Sequence, residues 1–240
     1  MVGDAAVPPG AWGPALSDAI VPVIKAVGIP PLRLWFRWRF EGLDAIPRSG
    51  PALIACNHVS YIDPIINAYV VLRSGRTPRF LAKRELFEAP VLGWILRTTS
   101  QIPVHRGTRD RTPLDAAERA LDAGEVVVVY PEGTVTDRED HLPMRGKTGL
   151  ARLALASGVP VLPMASWGSH PVWQKSGRGS LRRGRPLWVK VGAPVQATQI
   201  AEQDPGNDVL RRVTAGVMEA LTELVVDLRS RYPEGWDDDG

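Results

Sequence analysis

The sequence predicts an α/β domain in which one open, mostly parallel or mixed sheet is flanked by helices. Three observations predict it. The 240 residues fit a single α/β domain of ordinary size. Short apolar runs alternate with amphipathic stretches from Pro51 onward. One of those runs, Val126-Val127-Val128-Val129, is β-branched throughout and has no polar face, as a central strand covered on both sides requires.

Each element follows from local signals. Residues 1–14 are rich in Pro, Gly and Ala and are expected to lack order. Residues 15–45 are expected to form an N-terminal helical segment suited to membrane contact. Within it Ser17 or Asp18 caps a helix to about Val27, and Pro30-Pro31 forces a break. Residues 32–40 follow, alternating Arg33, Arg37 and Arg39 with large apolar side chains. They suit either a segment covering the core or an interfacial anchor whose arginines meet lipid phosphates. The main domain spans 46–232. Strands are expected at 52–56, 79–82, 101–104, 125–130, 159–165 and 187–191, and helices at 64–73, 91–97, 112–123, 147–157 and 209–231. Gly124 and Gly158 stop two of the helices. Residues 233–240 are an acidic tail. No internal repeat or interdomain linker is evident.

Composition narrows the function classes. Cys56 is the sole cysteine, so a disulfide framework and Cys-rich metal sites are excluded, and a reducing compartment is the simplest expectation. His58, His105, His141 and His170 lack paired-ligand spacing, so no metal is expected. The net charge is +3, and it rises to +7 without Glu234, Asp237, Asp238 and Asp239. That excess suits a phosphorylated substrate, an anionic membrane surface or nucleic acid. Charged residues interrupt the first 50 residues, and no run of about 18 apolar residues occurs. Nor does the start read as a signal peptide, so the expected location is the cytosol or the cytoplasmic face of the membrane, peripherally bound.

In open α/β sheets ligands bind beyond the carboxyl ends of the strands, and two turns there are unusual. The first is Asn57-His58-Val59-Ser60-Tyr61-Ile62-Asp63-Pro64. On a helix His58 and Asp63 would stand about 140° apart, so they meet only if the segment is a turn. Pro64 supports one by pushing Asp63 out of the α region and starting a helix, with Asp63 as its N-cap. A carboxylate on one imidazole nitrogen fixes the tautomer and leaves the other free to take a proton from an alcohol. The plain alternative is a capping Asp beside an unrelated His; His105 and Asp110 share the spacing. The second turn, Tyr130-Pro131-Glu132-Gly133-Thr134, offers a carboxylate and close backbone approach to a polyol or phosphate, or simply a β-turn with Pro at its second position. Arg106 and Lys147 are candidate phosphate ligands.

In this combination the sequence resembles the PlsC-like lysophospholipid acyltransferase family, which carries four ordered blocks. His58 and Asp63, with Asn57, Ser60 and Tyr61 around them, resemble the first and Arg106 the second. Pro131-Glu132-Gly133-Thr134 resembles the third and Val159-Pro160-Val161-Leu162-Pro163 the fourth. Lys147 and Gly149 match a Lys and Gly that follow the third, so the resemblance covers about residues 50–195. It implies a glycerol-3-phosphate acyltransferase-like fold, His58 as general base and Asp63 as its orienting partner. Asn57, Arg106, Glu132, Gly133, Thr134 and Lys147 would bind substrate. The hydroxyl of a lysophospholipid, 1-acylglycerol 3-phosphate in the type reaction, would attack an acyl thioester of coenzyme A or acyl carrier protein without an acyl-enzyme and without a resident cofactor. Three departures bear on the acceptor headgroup: Val135 stands where the family has Arg, Gly146 where it has Phe, and His105 beside Arg106 is atypical.

Rival readings are weaker. No Gly-x-Ser-x-Gly elbow occurs, and Ser169 and His170 are adjacent, which does not allow the usual hydrolase geometry. Gly146-Lys147-Thr148 lacks the phosphate-loop glycine, since position 141 is His. Residues 175–190 hold six cations and no acid, near Trp173 and Trp188. They suit a solvated loop or membrane contact better than nucleic acid, for which no recognised module is present. A non-catalytic binder of anionic lipid is the remaining rival.

Overall fold

The computed structural model describes residues 21–105, 111–203 and 208–236. The expectations for residues 1–14, for the cap at Ser17 or Asp18, for Arg106 and for Asp237, Asp238 and Asp239 lie outside them.

A seven-stranded sheet forms the centre. Its strands are β1 (Arg37–Glu41), β2 (Ala52–Cys56), β3 (Pro78–Lys83), β4 (Ile102–Val104), β5 (Val126–Val129), β6 (Val161–Trp167) and β7 (Pro186–Val191), in the spatial order β1-β7-β6-β2-β5-β3-β4. Every neighbouring pair is parallel except β6 and β7. The mixed sheet is therefore parallel through its middle, and the carboxyl ends of β2, β3, β4, β5 and β6 share one edge.

Strands β2, β5 and β6 are buried at every position. Because side chains alternate across a strand, even-numbered Ile54, Val126 and Val128 enter one core and odd-numbered Leu53, Ala55, Val127 and Val129 the other. The first core is closed by Ile66, Val70 and Val71 of α2 (Asp63–Arg73). On the opposite face lie α4 (Thr112–Asp122), α5 (Gly149–Ser157) and α7 (Val209–Ser230), which contribute Leu121, Leu153, Val213, Val217 and Leu221. The remaining helices are α1 (Ile29–Trp35), α3 (Pro90–Thr98) and α6 (Ala197–Gln203).

Local expectations are corrected in five places. Pro30 and Pro31 do not break the chain but sit in the first turn of α1, where a missing amide proton costs nothing. Residues 32–40 are not one element: 32–35 finish α1, Phe36 is extended, and 37–41 form edge strand β1. There Trp38 and Phe40 turn inward and contact the Tyr69 ring, at 4.7 and 6.0 Å between centroids. The expected 147–157 helix starts at Gly149, and strand β6 is shifted to Val161–Trp167. Helix α6 was not anticipated, since its seven residues carry little periodicity.

Strand β6 leaves the sheet through Gly168, whose φ of +95° suits glycine alone. A Cβ there would stand 2.2 Å from the Pro186 carbonyl oxygen and 2.4 Å from the Tyr232 hydroxyl. Gly168→Ala is expected to lower unfolding free energy by about 2–4 kcal/mol, strain and overpacking acting together. Urea denaturation measures it; an unchanged midpoint would show that this exit is not constrained.

Candidate active site

The main chain of β2 peels away after Cys56, and Asn57 keeps the seam with β6 closed. Its buried side-chain amide donates to the Ser166 carbonyl at 3.0 Å and accepts the Ser166 amide proton at 2.8 Å, in place of a further ladder step. Asn57 is therefore a support of the turn, with both ends of its amide committed.

His58 follows at the carboxyl edge. Its Nδ1 lies 3.0 Å from Asp63 Oδ2. The same oxygen accepts the backbone protons of Val59 and Ser60, each at 2.7 Å, while Oδ1 accepts the Ser169 hydroxyl at 2.6 Å. Asp63 is fully buried. An ionised carboxylate only accepts, so in the neutral imidazole Nδ1 carries the proton and Nε2 the lone pair. The ring stacks on Tyr130 at 4.3 Å, and the His58 side chain remains 11% exposed. The expected N-cap role of Asp63 is not what the structure has. Asp63 is the first residue of α2, and its carboxylate folds back onto the preceding turn instead of capping the amides ahead.

The turn is clamped from outside. Ser60 Oγ donates to the Trp173 carbonyl at 2.8 Å and accepts the Trp173 amide proton at 3.2 Å, and the Tyr61 amide donates to the same carbonyl at 3.0 Å. The exposed rings of Tyr61 and Trp173 meet edge to face at 5.8 Å.

The loop after β5 forms the second wall. Gly133 N donates to the Tyr130 carbonyl at 3.0 Å, closing the turn that Pro131 begins. Glu132 is buried and bridges two segments, Oε1 accepting the His58 amide proton at 2.9 Å and Oε2 that of Met144 at 2.8 Å. Burial pushes its carboxyl up to about 7, against the opposing pull of those two amides. Lys147 lies before α5 rather than inside it. Its amide donates to the Pro131 carbonyl at 2.8 Å, and its Nζ reaches over the loop, so that a Cβ on Gly133 would come within 2.7 Å of it. Gly133 and Lys147 are thus brought together, and half-buried Thr134 follows in the same loop. Val135 is buried. Gly146 is pressed against Thr214 and Met218, where a Cβ would approach to 2.8 Å, so a larger side chain would require those two side chains to shift.

His105 stands just beyond β4, with Nε2 2.8 Å from Arg84, and Arg106 comes next in the chain, outside the described residues. Cys56 is buried, which raises its thiol well above the usual range and removes it as a nucleophile. Among the described residues no three of His, Cys, Asp or Glu gather as metal ligands. Of the 175–190 run, Arg185 is buried with Nη1 on the Trp236 carbonyl, Arg182 lies over the Trp236 ring at 4.1 Å, and Lys190 pairs with Asp227 at 2.7 Å. Much of that charge serves the fold, whereas Leu34, Trp35 and Leu181 are exposed side by side, with Trp35 Nε1 donating to the Leu181 carbonyl at 3.0 Å.

Sequence reasoning missed the contact of Ser169 with Asp63, and it quoted Tyr130 in the second turn without anticipating its stacking on His58. Ser169 was weighed only as a hydrolase nucleophile, although the rule that chemistry gathers just after a strand applied to it as to His58.

Comparisons with known proteins place the chain among acyltransferases. PlsC, the 1-acyl-sn-glycerophosphate acyltransferase of Thermotoga maritima, has a crystal structure that matches with a TM-score of 0.69 at 25% identity, over 91% of this chain and 83% of that one. A 1-acyl-sn-glycerol-3-phosphate acyltransferase of Bacillus subtilis is 26% identical over 184 residues, covering 75% of this chain and 84% of the relative. A chloroplastic enzyme of the same name from Arabidopsis thaliana is 28% identical over 169 residues, 69% of this chain and 45% of the relative. The chain spans less than half the length of the chloroplastic relatives it matches. The acyltransferase family model matches residues 37–167, more than half of the chain and all of it from β1 through the dyad and the Glu132 loop to the end of β6. The chain belongs to the acyltransferase family.

Proposed function

We propose that this protein moves a fatty acyl group from a thioester carrier, acyl-CoA or acyl carrier protein, to the free hydroxyl of 1-acylglycerol 3-phosphate, a step of phospholipid synthesis. The observation that carries the reading is the His58 imidazole, held through Nδ1 by Asp63 with Nε2 left to accept a proton. Nε2 takes the hydroxyl proton as the oxygen attacks the thioester carbonyl carbon. The tetrahedral intermediate collapses, the carbon–sulfur bond breaks, and the leaving thiolate recovers the proton from the imidazolium. Buried Asp63 stabilises that imidazolium. No group of the enzyme is acylated, and no resident cofactor takes part.

Lys147 and Arg106 supply positive charge for the acceptor phosphate, and the Glu132-Gly133-Thr134 backbone gives close approach. Glu132 acts by tying that loop to the His58 turn, since both its oxygens are engaged by amides. The acceptor is expected to reside in an anionic membrane surface, and the protein to bind it peripherally on the cytoplasmic side. No helix among the described residues is long and apolar enough to cross a membrane. Leu34, Trp35 and Leu181, exposed together, support contact with that surface. A second acceptor, another lysophospholipid or a glycolipid, is favoured by buried Val135 and space-limited Gly146 at positions where the resemblance places larger or charged side chains.

Purified protein with a labelled acyl thioester and a panel of lysolipids tests the proposal. His58→Ala and Asp63→Ala are expected to lower kcat by about 10²–10⁴-fold, with the fold retained in circular dichroism; undiminished turnover in either would overturn it. Lys147→Ala and Arg106→Ala are expected to raise the acceptor KM several-fold more than the donor KM, and equal effects would remove the phosphate assignment.

Glu132 adds a pH dependence. Its folded value of about 7 exceeds the ordinary 4.5, so between those values the unfolded chain releases the proton first. Stability should therefore fall as pH rises through that window and level off above it. Glu132→Gln is expected to flatten this component in denaturation midpoints measured from pH 4 to 8; identical slopes would mean the carboxyl is not perturbed.

A further inference from the structure

Between β3 and β4 the chain makes an excursion whose placement is set by strand register. Ile102 pairs with Leu81 and Val104 with Lys83, so β4 begins level with the last residues of β3. Residues 84–101 consequently leave and return at the carboxyl edge, the edge that also carries His58. They form a 3-10 turn, Arg84–Phe87, followed by α3.

Helix α3 reads Pro-Val-Leu-Gly-Trp-Ile-Leu-Arg-Thr, with one charge in nine residues. A run so apolar normally belongs in a core. Here only Gly93 and Thr98 are buried. Val91 is 72% exposed, Leu92 42%, Trp94 50%, and Leu86 of the preceding turn 41%. The helix packs principally on that turn and does so tightly: a Cβ on Gly93 would meet the Phe87 carbonyl oxygen at 2.0 Å, and the Arg97 guanidinium donates to the same carbonyl. The result is a compact hairpin that presents contiguous apolar surface outward, which marks an interaction site.

The rim supplies the partner's chemistry. Lys83, Arg84 and Arg97 border the apolar residues, against Glu85 and Glu88. Lys83 lies 3.6 Å from Glu85, while neither Arg84 nor Arg97 meets a carboxylate among the described residues. An indole and aliphatic side chains beside a rim of three cations and two acids, net positive, suit the headgroup layer of an anionic bilayer. A two-fold contact with a second copy of this chain would instead bring two rims of the same net positive sign together. We propose that the 84–98 hairpin docks this protein onto anionic phospholipid, with Val91, Leu92 and Trp94 entering the headgroup layer, and so holds the His58 edge against the surface that carries the acceptor. The inference rests on the reading of the protein as an enzyme with a lipid-borne acceptor.

Co-sedimentation with phosphatidylcholine vesicles, with and without phosphatidylglycerol, provides the test. Val91→Asp/Trp94→Asp is expected to weaken binding to the anionic vesicles about tenfold or more. Its Tm and its turnover of a short-chain acceptor kept monomeric in solution should be unchanged, while turnover of a vesicle-borne acceptor falls. Should the double variant not fold, quenching of tryptophan fluorescence by brominated phosphatidylglycerol is expected to drop in Trp94→Phe. Unchanged vesicle binding, equal wild-type binding to neutral vesicles, or a dimer that the variant converts to monomer would each overturn the docking proposal. A wild type that binds anionic vesicles through Trp94 yet acylates no acceptor would support docking and sink the enzymatic reading alone.

Discussion

The candidate site depends on one buried carboxylate. Asp63 sits at the start of α2 with no exposure to water, and a charge there must be met on every side. Two amides of its own turn, the imidazole of His58 and the hydroxyl of Ser169 do so. This arrangement folds residues 57–62 into a turn, sets the tautomer of His58, and draws the segment after β6 toward the segment after β2. Chemistry and local folding thus share one group: the contacts that keep Asp63 satisfied are those that aim Nε2 outward.

The rest of the edge is braced by polar side chains that replace missing backbone pairing. Parallel strands end where the chain must turn, and their last amides and carbonyls would otherwise be left unpaired. Asn57 answers this between β2 and β6, Glu132 between the His58 turn and the Met144 segment, and Ser60 between the turn and Trp173. If His58 is the base of the proposed reaction, it must meet a hydroxyl with sub-ångström tolerance, a demand served by such bracing. It also explains why Glu132, read from the sequence as a substrate ligand, is found engaged by the protein's own amides. The same edge bears the α3 hairpin, so the architecture sets a rigid polar centre beside an apolar margin.

Much of this was legible beforehand, for identifiable reasons. Val126-Val127-Val128-Val129 and Ala52–Cys56 carry no polar face, and burial on both sides follows directly. The His58 to Asp63 spacing is incompatible with a helix and compatible with a turn ended by Pro64, so their meeting could be anticipated. Less was visible where short elements depend on neighbours: α6 and the split of 32–40 are set by packing, since Trp38 and Phe40 become strand residues by lying on Tyr69. Ser169 stands 106 positions from Asp63, and no local pattern announces a contact of that range.

Sequence alone determined the fold class and offered the pairing of an imidazole with a carboxylate as one of two readings, because hydrophobic periodicity and turn-forming residues act over a few positions; the order of the chemical blocks rested on a family resemblance. Only the tertiary structure decided the antiparallel joint between β6 and β7, the engagement of Glu132 and Ser169, the absorption of Arg182 and Arg185 around Trp236, and the exposure of α3. Those outcomes depend on which groups far apart in the chain come to share a buried space, and burial is a property of the assembled molecule.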